Sequence, residues 1–332
     1  KAIFCGRHGQ SEWNLGKKNG DLTRVMKFDH PLTELGCTQA SEVNAKWKAC
    51  RDDPKYKSVT AKKQGFNLFG GWSRKNKDAD DTSGVSPTSL GRPKKMEKLS
   101  LSEMAARNEE YVRRFLESKC ILSSPLTRAL QTCLLVLEDH DGMTSHEKGV
   151  RLYRNIREVK NVGGQDTVGE KCGAEILPNT RDKLSAVLGH KRATKVTNVN
   201  VDINDTDQKW WVSATTYESD SDVKKRIAEV MQYLKFGCDD NVICVGHSAF
   251  FKKLCSKNLA DGMAKTRPEL YQKLSKYKLF NGAVLALTID FTAPEGPNIV
   301  DADLLFDSKF VEKKSTKPKK SDNGNVDSDE DE

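Results

Sequence analysis

The chain has 332 residues, of which 36% are hydrophobic and 31% are charged, and its formal net charge is +8. This length supplies a buried core for one large domain or two ordinary ones, which excludes a fibre or tail protein without a core. The charged share exceeds the globular average, so we expect part of the chain to be unfolded. No apolar stretch approaches the roughly 18 residues of a membrane-spanning helix, and no membrane span is expected.

Two segments concentrate the charge, and we predict that both are flexible. Residues 52–98 contain eleven Lys and Arg against six Asp and Glu, and their Gly, Ser and Lys content cannot bury enough apolar surface to offset the entropy of ordering. Residues 313–332 combine five Lys with six acidic residues, which predicts a disordered charged tail. The remaining body is only mildly basic, so nucleic acid is not an expected partner.

The nine cysteines form no C-x-x-C pair and no cluster with the spacing of metal ligands. This usage is typical of reduced thiols, and we expect a cytoplasmic or nuclear protein. The chain begins at Lys1 rather than Met, which leaves open a targeting segment removed from upstream.

Apolar runs and helical periodicity predict an alternation of strands and helices. In chain order these are a strand at 2–5, a helix from the N-cap Thr33 to residue 50, a helix at about 101–117 and a strand at 120–123. A helix at 125–140 follows, with Ser124 as N-cap and Pro125 at its first position. The remaining elements are a helix at 222–234, a strand at 242–245, a helix at 250–259 and a strand at 282–290.

This alternation predicts an α/β fold, built as a three-layer α/β/α sandwich around a largely parallel central sheet. Residues 52–98 interrupt one alternating pattern and do not separate two patterns. We therefore predict one catalytic domain over residues 1–312.

Cationic and imidazole side chains follow three of the predicted strands. Arg7 and His8 follow the first strand, Arg128 lies in the first turn of the helix after the second, and His247 follows the third. The carboxyl ends of parallel strands meet at one edge of a sheet, where ligands bind, and helix N-termini favour anions. Each residue singly could be an ordinary surface or loop group, but together they predict a site for a phosphoryl group.

Residues 7–14 read RHGQSEWN and resemble the signature R-H-G-[EQ]-[ST]-x-x-N of the histidine phosphatase superfamily, in its phosphoglycerate-mutase-like branch. Further segments resemble this family in the family's own order, namely DHPLTELGCTQA (29–40), SSPLTRALQT (123–132), IREV (156–159) and VGHSAFFKKL (245–254). The resemblance does not extend to 52–98, to the tail or to residues near 187–209, where we expect a smaller insertion. It implies the phosphoglycerate-mutase-like fold.

The resemblance also implies a mechanism. His8 would be the nucleophile that forms a phosphohistidine, with its other ring nitrogen bonded to a nearby backbone carbonyl. Arg7, Arg128 and His247 would bind the phosphoryl oxygens, and Asn14 would donate a hydrogen bond to them. No metal or other cofactor is implied.

The leaving alkoxide needs a proton, and Glu158 is the predicted general acid because it lies in the segment that resembles the acid-bearing loop of the family. Phosphoglycerate mutases read E-R-H-Y-G at this place, whereas this chain reads REVKNVGG. Asp166, Glu170 and Glu175 are nearby competitors for the role, and a surface salt bridge is the structural alternative for Glu158.

Three functions follow from these residues. A metal-independent phosphatase acting on small phosphate monoesters leads, because the chain lacks the E-R-H-Y-G loop of the mutases. A phosphoglycerate-type phosphomutase and a weakly catalytic scaffold that recognises phosphate are the alternatives. The sequence specifies neither the natural substrate nor the oligomeric state. Trp210 and Trp211 are candidates for the pocket wall or for buried packing, and Asn281 for a family position or a turn.

Overall fold

The computed structural model describes residues 1–56, 100–144, 149–160, 164–294 and 296–311. Within them the strands are β1 (Ala2–Arg7), β2 (Cys120–Ser123), β3 (Val150–Leu152), β4 (Val201–Asp202), β5 (Asn241–Gly246), β6 (Val284–Asp290) and β7 (Asn298–Leu305). The α-helices are α1 (Glu12–Asn19), α2 (Leu22–Val25), α3 (Glu34–Asp52), α4 (Leu101–Leu116), α5 (Thr127–Val136), α6 (Asp141–Thr144), α7 (Ile176–Leu188), α8 (His190–Val196), α9 (Asp220–Phe236), α10 (Ser248–Asn258), α11 (Asp261–Thr266) and α12 (Pro268–Lys276).

All seven strands form one sheet, in the order β4-β3-β2-β5-β1-β6-β7. Neighbours from β4 to β1 pair in parallel, whereas β6 pairs antiparallel with both β1 and β7. Only β6 therefore runs against the rest. The strands β1, β2, β3 and β5 end at the same edge of the sheet, which is the edge where the predicted site residues lie.

Helices cover both faces of the sheet. Along β1, Ala2 and Phe4 point to one apolar cluster, while Ile3 and Cys5 point to the other, as the two-residue period of a strand requires. The first cluster packs against α3, α4, α5, α7 and α8, and the second against α9 to α12. The predicted three-layer α/β/α architecture with a largely parallel sheet is confirmed.

The predicted helix at 125–140 is wrong at its start. Helix α5 begins at Thr127, and its N-cap position, Leu126, has no side chain that accepts a hydrogen bond. The expected cap, Ser124, instead places its hydroxyl 2.8 Å from Nε2 of His247. Asp29, from a distant part of the chain, caps the helix by accepting hydrogen bonds from the Thr127 amide (2.8 Å) and hydroxyl (2.6 Å).

The structure describes a small part of the first predicted insertion and all of the second. Residues 52–56 form the end of α3 and a short 3-10 turn. Residues 57–98 lie outside the described residues, as does the tail at 313–332. Residues 187–209 contain the end of α7, helix α8 and the edge strand β4, which pairs with β3. The single catalytic domain over 1–312 stays a prediction.

All nine cysteines lie in the described ranges, and none of them forms a disulfide bond there. No helix within those ranges is both long and apolar enough to cross a membrane.

Two glycines bring the N-terminus of α3 against the loop that follows β1. A Cβ atom on Gly36 would lie 2.0 Å from the carbonyl oxygen of Gln10, and one on Gly9 would lie 2.4 Å from the carbonyl oxygen of Gly36. In the same contact, the amide of Thr33 donates to the Gln10 carbonyl at 2.9 Å. The backbones thus touch directly, and no side chain fits between them.

We expect Gly36→Ala to lower the free energy of unfolding by about 1–3 kcal/mol, because its methyl group would meet backbone atoms that cannot rotate away. The measurement is the midpoint of urea unfolding. Gly262→Ala in α11 is the matched control, since a Cβ atom there meets nothing within 4 Å and Ala is the better helix former. Equal midpoints for the two variants would contradict the close approach.

Candidate active site

A cavity of about 400 Å³ opens at the carboxyl edge of the sheet. Arg7 is the last residue of β1, His8 follows it, and Arg128 is the second residue of α5. The cavity is lined by Arg7, His8, Trp13, Asn14, Lys17, Arg128, Glu158, Val159, Gly164, Asp166, Ser248, Ala249 and Lys278. Five of the six predicted site residues therefore line one cavity.

His8 is buried, and its hydrogen bonds define its tautomer. Nδ1 lies 2.7 Å from the carbonyl oxygen of Gly9, which can only accept, so Nδ1 carries the proton. Nε2 is left with a lone pair, and Nε of Arg128 donates to it at 3.3 Å. Burial, together with the charges of Arg128 and Arg7, holds the pKa of His8 well below its usual value. His8 is thus a neutral imidazole with its basic nitrogen beside an arginine.

The two arginines are buried with few acidic partners. Arg128 is 1% exposed and donates from Nη1 to the Asp166 carbonyl and from Nη2 to the Asp166 carboxylate at 3.5 Å. Arg7 donates from Nη1 to the carbonyl of Leu279, while its buried Nε has no partner within the described residues. Burial lowers the pKa of Arg7 to about 10, so the group is still charged at neutral pH.

His247 is buried next to His8 and is not among the residues that line the cavity. The ring centroids of the two histidines are 5.1 Å apart, and Nε2 of His247 lies 2.8 Å from the hydroxyl of Ser124. Its Nδ1 is buried without a partner among the residues described. Burial is the main cause that holds the pKa of His247 well below its usual value. His247 therefore adjoins the site through the contact of its ring with the ring of His8.

Glu158 presents its carboxyl group to the cavity. Its Oε1 accepts hydrogen bonds from the amides of Val159 (2.9 Å) and Phe250 (3.2 Å). Burial raises the pKa of Glu158, and this effect exceeds the lowering by the Val159 amide. A carboxyl that keeps its proton to higher pH suits a general acid.

Of the three competitors of Glu158 for the role of general acid, one lines the cavity and two do not. Asp166 also lines the cavity, but its carboxylate is beside Arg128. Glu170 pairs with Lys183 at 2.7 Å, and Glu175 pairs with Lys171 at 3.3 Å, and neither lines the cavity.

Two asparagines connect the loops around His8. The Oδ1 of Asn14 accepts hydrogen bonds from the amide of Ser11 (3.1 Å) and from Nδ2 of Asn281 (3.2 Å). The same Nδ2 also donates to the carbonyl of His8 at 3.2 Å. Because its oxygen is occupied in this way, the amide nitrogen of Asn14 is left as the donor that a ligand can use, and the residue lines the cavity.

Trp210 and Trp211 are packing residues. Trp210 is buried and donates from Nε1 to the carbonyl of Lys171 at 3.0 Å, and the two rings contact each other edge to face at 5.1 Å. Neither ring lines the cavity.

Three further residues line the cavity that the sequence motifs do not mark as site residues, namely Trp13, Lys17 and Lys278. Lys17 and Trp13 lie on α1, where the ammonium group is 5.5 Å from the centroid of the indole ring. A spacing of four residues after Trp13 places Lys17 on the same helix face and was the available signal. Lys278 reaches the cavity from the loop between α12 and β6, for which the sequence carries no such signal.

As for metals, the described part of the chain contains no group of three or more His, Cys, Asp or Glu side chains placed to hold an ion. The cationic and amide side chains that line the cavity suit an anion.

No protein-family model matches the chain, and no curated protein matches it in sequence. Among solved structures, the chain is similar to phosphoserine phosphatase from Entamoeba histolytica in complex with 3-phosphoglyceric acid, at 17% identity and a TM-score of 0.37, over 91% of this chain and 96% of that one. It is also similar to alpha-ribazole phosphatase from Shigella flexneri (12% identity, TM-score 0.40, 90% and 95% of the two chains). A third similar structure is mycobacterial glucosyl-3-phosphoglycerate phosphatase (15% identity, TM-score 0.40, 92% and 98%). These solved structures are phosphatases of the histidine phosphatase superfamily.

Proposed function

We propose that the protein is a histidine phosphatase that hydrolyses phosphate monoesters through a phosphohistidine on His8. The observation that carries the proposal is the state of His8, whose Nδ1 proton is bonded to the Gly9 carbonyl at 2.7 Å while Nε2 stays basic beside Arg128 in the cavity. A neutral imidazole with one fixed tautomer needs no separate base to attack phosphorus.

In the first step, Nε2 of His8 attacks phosphorus and the bond to the ester oxygen breaks. The departing alkoxide takes the proton of Glu158, so an alcohol leaves and a phosphohistidine remains. In the second step, water attacks phosphorus, Glu158 accepts a proton from that water, and the phosphorus–nitrogen bond breaks. Orthophosphate leaves, and both His8 and Glu158 return to their starting protonation.

The cationic groups supply the electrostatic part of catalysis. The transferring phosphoryl group concentrates negative charge on its equatorial oxygens, where donors fixed in advance stabilise it most. Arg7 and Arg128 line the cavity, and the buried Nε of Arg7 lacks a partner among the described residues. We assign Arg7, Arg128 and the amide nitrogen of Asn14 to the phosphoryl oxygens. His247, which the sequence also predicted for this role, does not line the cavity, and we assign it to packing against the ring of His8.

The substrate we infer is small and carries a second anionic group. The cavity of about 400 Å³ has room for more than a phosphoryl group, and Lys17 and Lys278 add two cations to its lining. A phosphate ester that also bears a carboxylate or second phosphate would engage these lysines. Phosphoryl transfer to a phosphoglycerate acceptor and phosphate recognition without turnover are the alternative functions.

The first test is turnover of p-nitrophenyl phosphate in the presence of EDTA. We expect the wild type to be active and His8→Ala to lose at least about a thousandfold in kcat, because no other group forms the covalent intermediate. His190→Ala, an exposed histidine on α8, is the control and is expected to keep full activity. Phosphate-dependent stabilisation without any turnover would instead favour a recognition scaffold, and transfer to phosphoglycerate in preference to water would favour a mutase.

The second test separates the general acid from the nucleophile. Glu158→Gln is expected to lower kcat about a hundredfold on an alkyl phosphate, whose leaving group needs a proton, and less than tenfold on p-nitrophenyl phosphate. In the wild type, kcat/KM for the alkyl ester should fall as the pH rises through the raised pKa of Glu158, since the acid loses its proton there. Equal losses on the two esters would remove Glu158 from this role.

The third test concerns the second anionic group. Lys17→Met and Lys278→Met are expected to raise KM by about tenfold for phosphate esters that carry a carboxylate, with little change in kcat, and to leave p-nitrophenyl phosphate unaffected. Lys18→Met is the matched control, because Lys18 is the exposed neighbour of Lys17 and does not line the cavity. The same rise in KM for both classes of ester would show a general effect of charge on phosphate binding.

A further inference from the structure

A buried cluster of one carboxylate and two guanidinium groups lies behind the loop that carries Glu158. Glu218 accepts a hydrogen bond through Oε1 from Arg157 at 2.8 Å and through Oε2 from Arg226 at 2.8 Å. The side chains of Glu218 and Arg226 are each 4% exposed, and that of Arg157 is 14% exposed. None of the three lines the cavity.

The cluster also bonds to the backbone of the loop on both sides of Glu158. Nη1 of Arg226 donates to the carbonyls of Asn155 (2.9 Å) and Arg157 (2.8 Å). Oε2 of Glu218 accepts from the amide of Lys160 at 2.9 Å, and the Glu218 amide donates to the Lys160 carbonyl at 3.0 Å. The positions before and after the general acid are therefore fixed by the same two side chains.

Arg226 further contacts the second structural element that touches Glu158. Its guanidinium carbon lies 4.9 Å from the ring centroid of Phe250 in α10, and the Phe250 amide donates to Oε1 of Glu158 at 3.2 Å. Arg226 thus holds the backbone that carries the acid and packs on the residue whose amide orients it.

Burying such a cluster costs desolvation free energy, so it is not an efficient way to stabilise a loop. Desolvation of buried charges can exceed their mutual attraction, and apolar side chains of similar volume often serve stability equally well. Charge-assisted hydrogen bonds, however, impose directions and distances that apolar packing does not. Burial lowers the pKa of Arg226 to about 10, which leaves the group charged, with directional donors, at neutral pH.

We propose that Glu218 and Arg226 are positioning residues that set the Glu158 carboxyl at the distance from the leaving group that proton transfer requires. This inference rests on the proposed function, in which Glu158 protonates the leaving alkoxide. A misplaced acid would slow only esters whose leaving group needs the proton, because nucleophile and phosphoryl site are held by other elements.

The test compares Glu218→Gln with Glu138→Gln on an alkyl phosphate and on p-nitrophenyl phosphate. Glu138 is the matched control, since its carboxylate is 10% exposed and also pairs with two cations, Arg192 and Lys195, away from the cavity. We expect Glu218→Gln to lower kcat on the alkyl ester about tenfold to a hundredfold, with KM and p-nitrophenyl phosphate turnover little changed. Glu138→Gln should leave both esters unchanged.

A double variant distinguishes positioning from a general loss of structure. If Glu218 acts through Glu158, then adding Glu218→Gln to Glu158→Gln lowers alkyl ester turnover by less than about twofold further. A full additional loss in the double variant, or equal losses of Glu218→Gln on both esters, would overturn the proposal. Should Glu218→Gln fail to fold, Arg157→Lys keeps the Glu218–Arg226 pair and is expected to show the same leaving-group dependence to a smaller degree.

Amide hydrogen exchange gives a readout that does not depend on activity. We expect Glu218→Gln to accelerate exchange at residues 158–160 and at Phe250, and Glu138→Gln to leave these amides unchanged. Absence of turnover in the wild type would refute the proposed function. Unchanged exchange at these amides in Glu218→Gln would refute the positioning role by itself.

Discussion

Two guanidinium groups are buried side by side at the carboxyl edge of the sheet, and most features of the site follow from that constraint. Arg7 is 9% exposed and Arg128 is 1% exposed. The charge of Arg128 contributes to the lowered pKa of Arg7, and both charges contribute to the lowered pKa of His8. Backbone carbonyls accept their hydrogen bonds without cancelling their charge, and Asp166 supplies one carboxylate at 3.5 Å. In the proposed function, a bound phosphoryl dianion would compensate the remaining charge.

The same burial shifts the pKa of a base and of an acid in one cavity in opposite directions. Desolvation disfavours the charged form of every group, so it lowers the pKa of His8 and raises that of Glu158. The two arginines add to the effect at His8, because a protonated imidazole would be a third cation beside them. Both shifts favour the uncharged forms, which are the forms that the proposed function requires of His8 and Glu158.

Several elements were not predictable because their local signals are weak. Strand β3 has three residues with an exposed Arg151 at its centre, and β4 has two residues, so neither shows the apolar run of a buried strand. Strand β7 places acidic residues, including the largely buried Asp301, among its apolar ones, and Arg107 and Arg267 from other elements pair with that carboxylate. The N-cap of α5 comes from Asp29, almost a hundred residues earlier, where no local pattern can reveal it.

By itself the sequence determined the fold class and the chemical groups at the sheet edge. Apolar runs place β1, β2 and β5, and chain order places Arg7, His8, Arg128 and His247 at or shortly after the ends of these strands. Only the tertiary structure decided the state of those groups. The tautomer of His8 depends on the direction of one backbone carbonyl, and the protonation of Glu158 depends on its depth. The backbone on both sides of Glu158 is bonded to Glu218 and Arg226, which lie sixty and more residues away in the chain. Burial and hydrogen-bond direction are set by contacts between distant segments, and local sequence patterns carry no record of them.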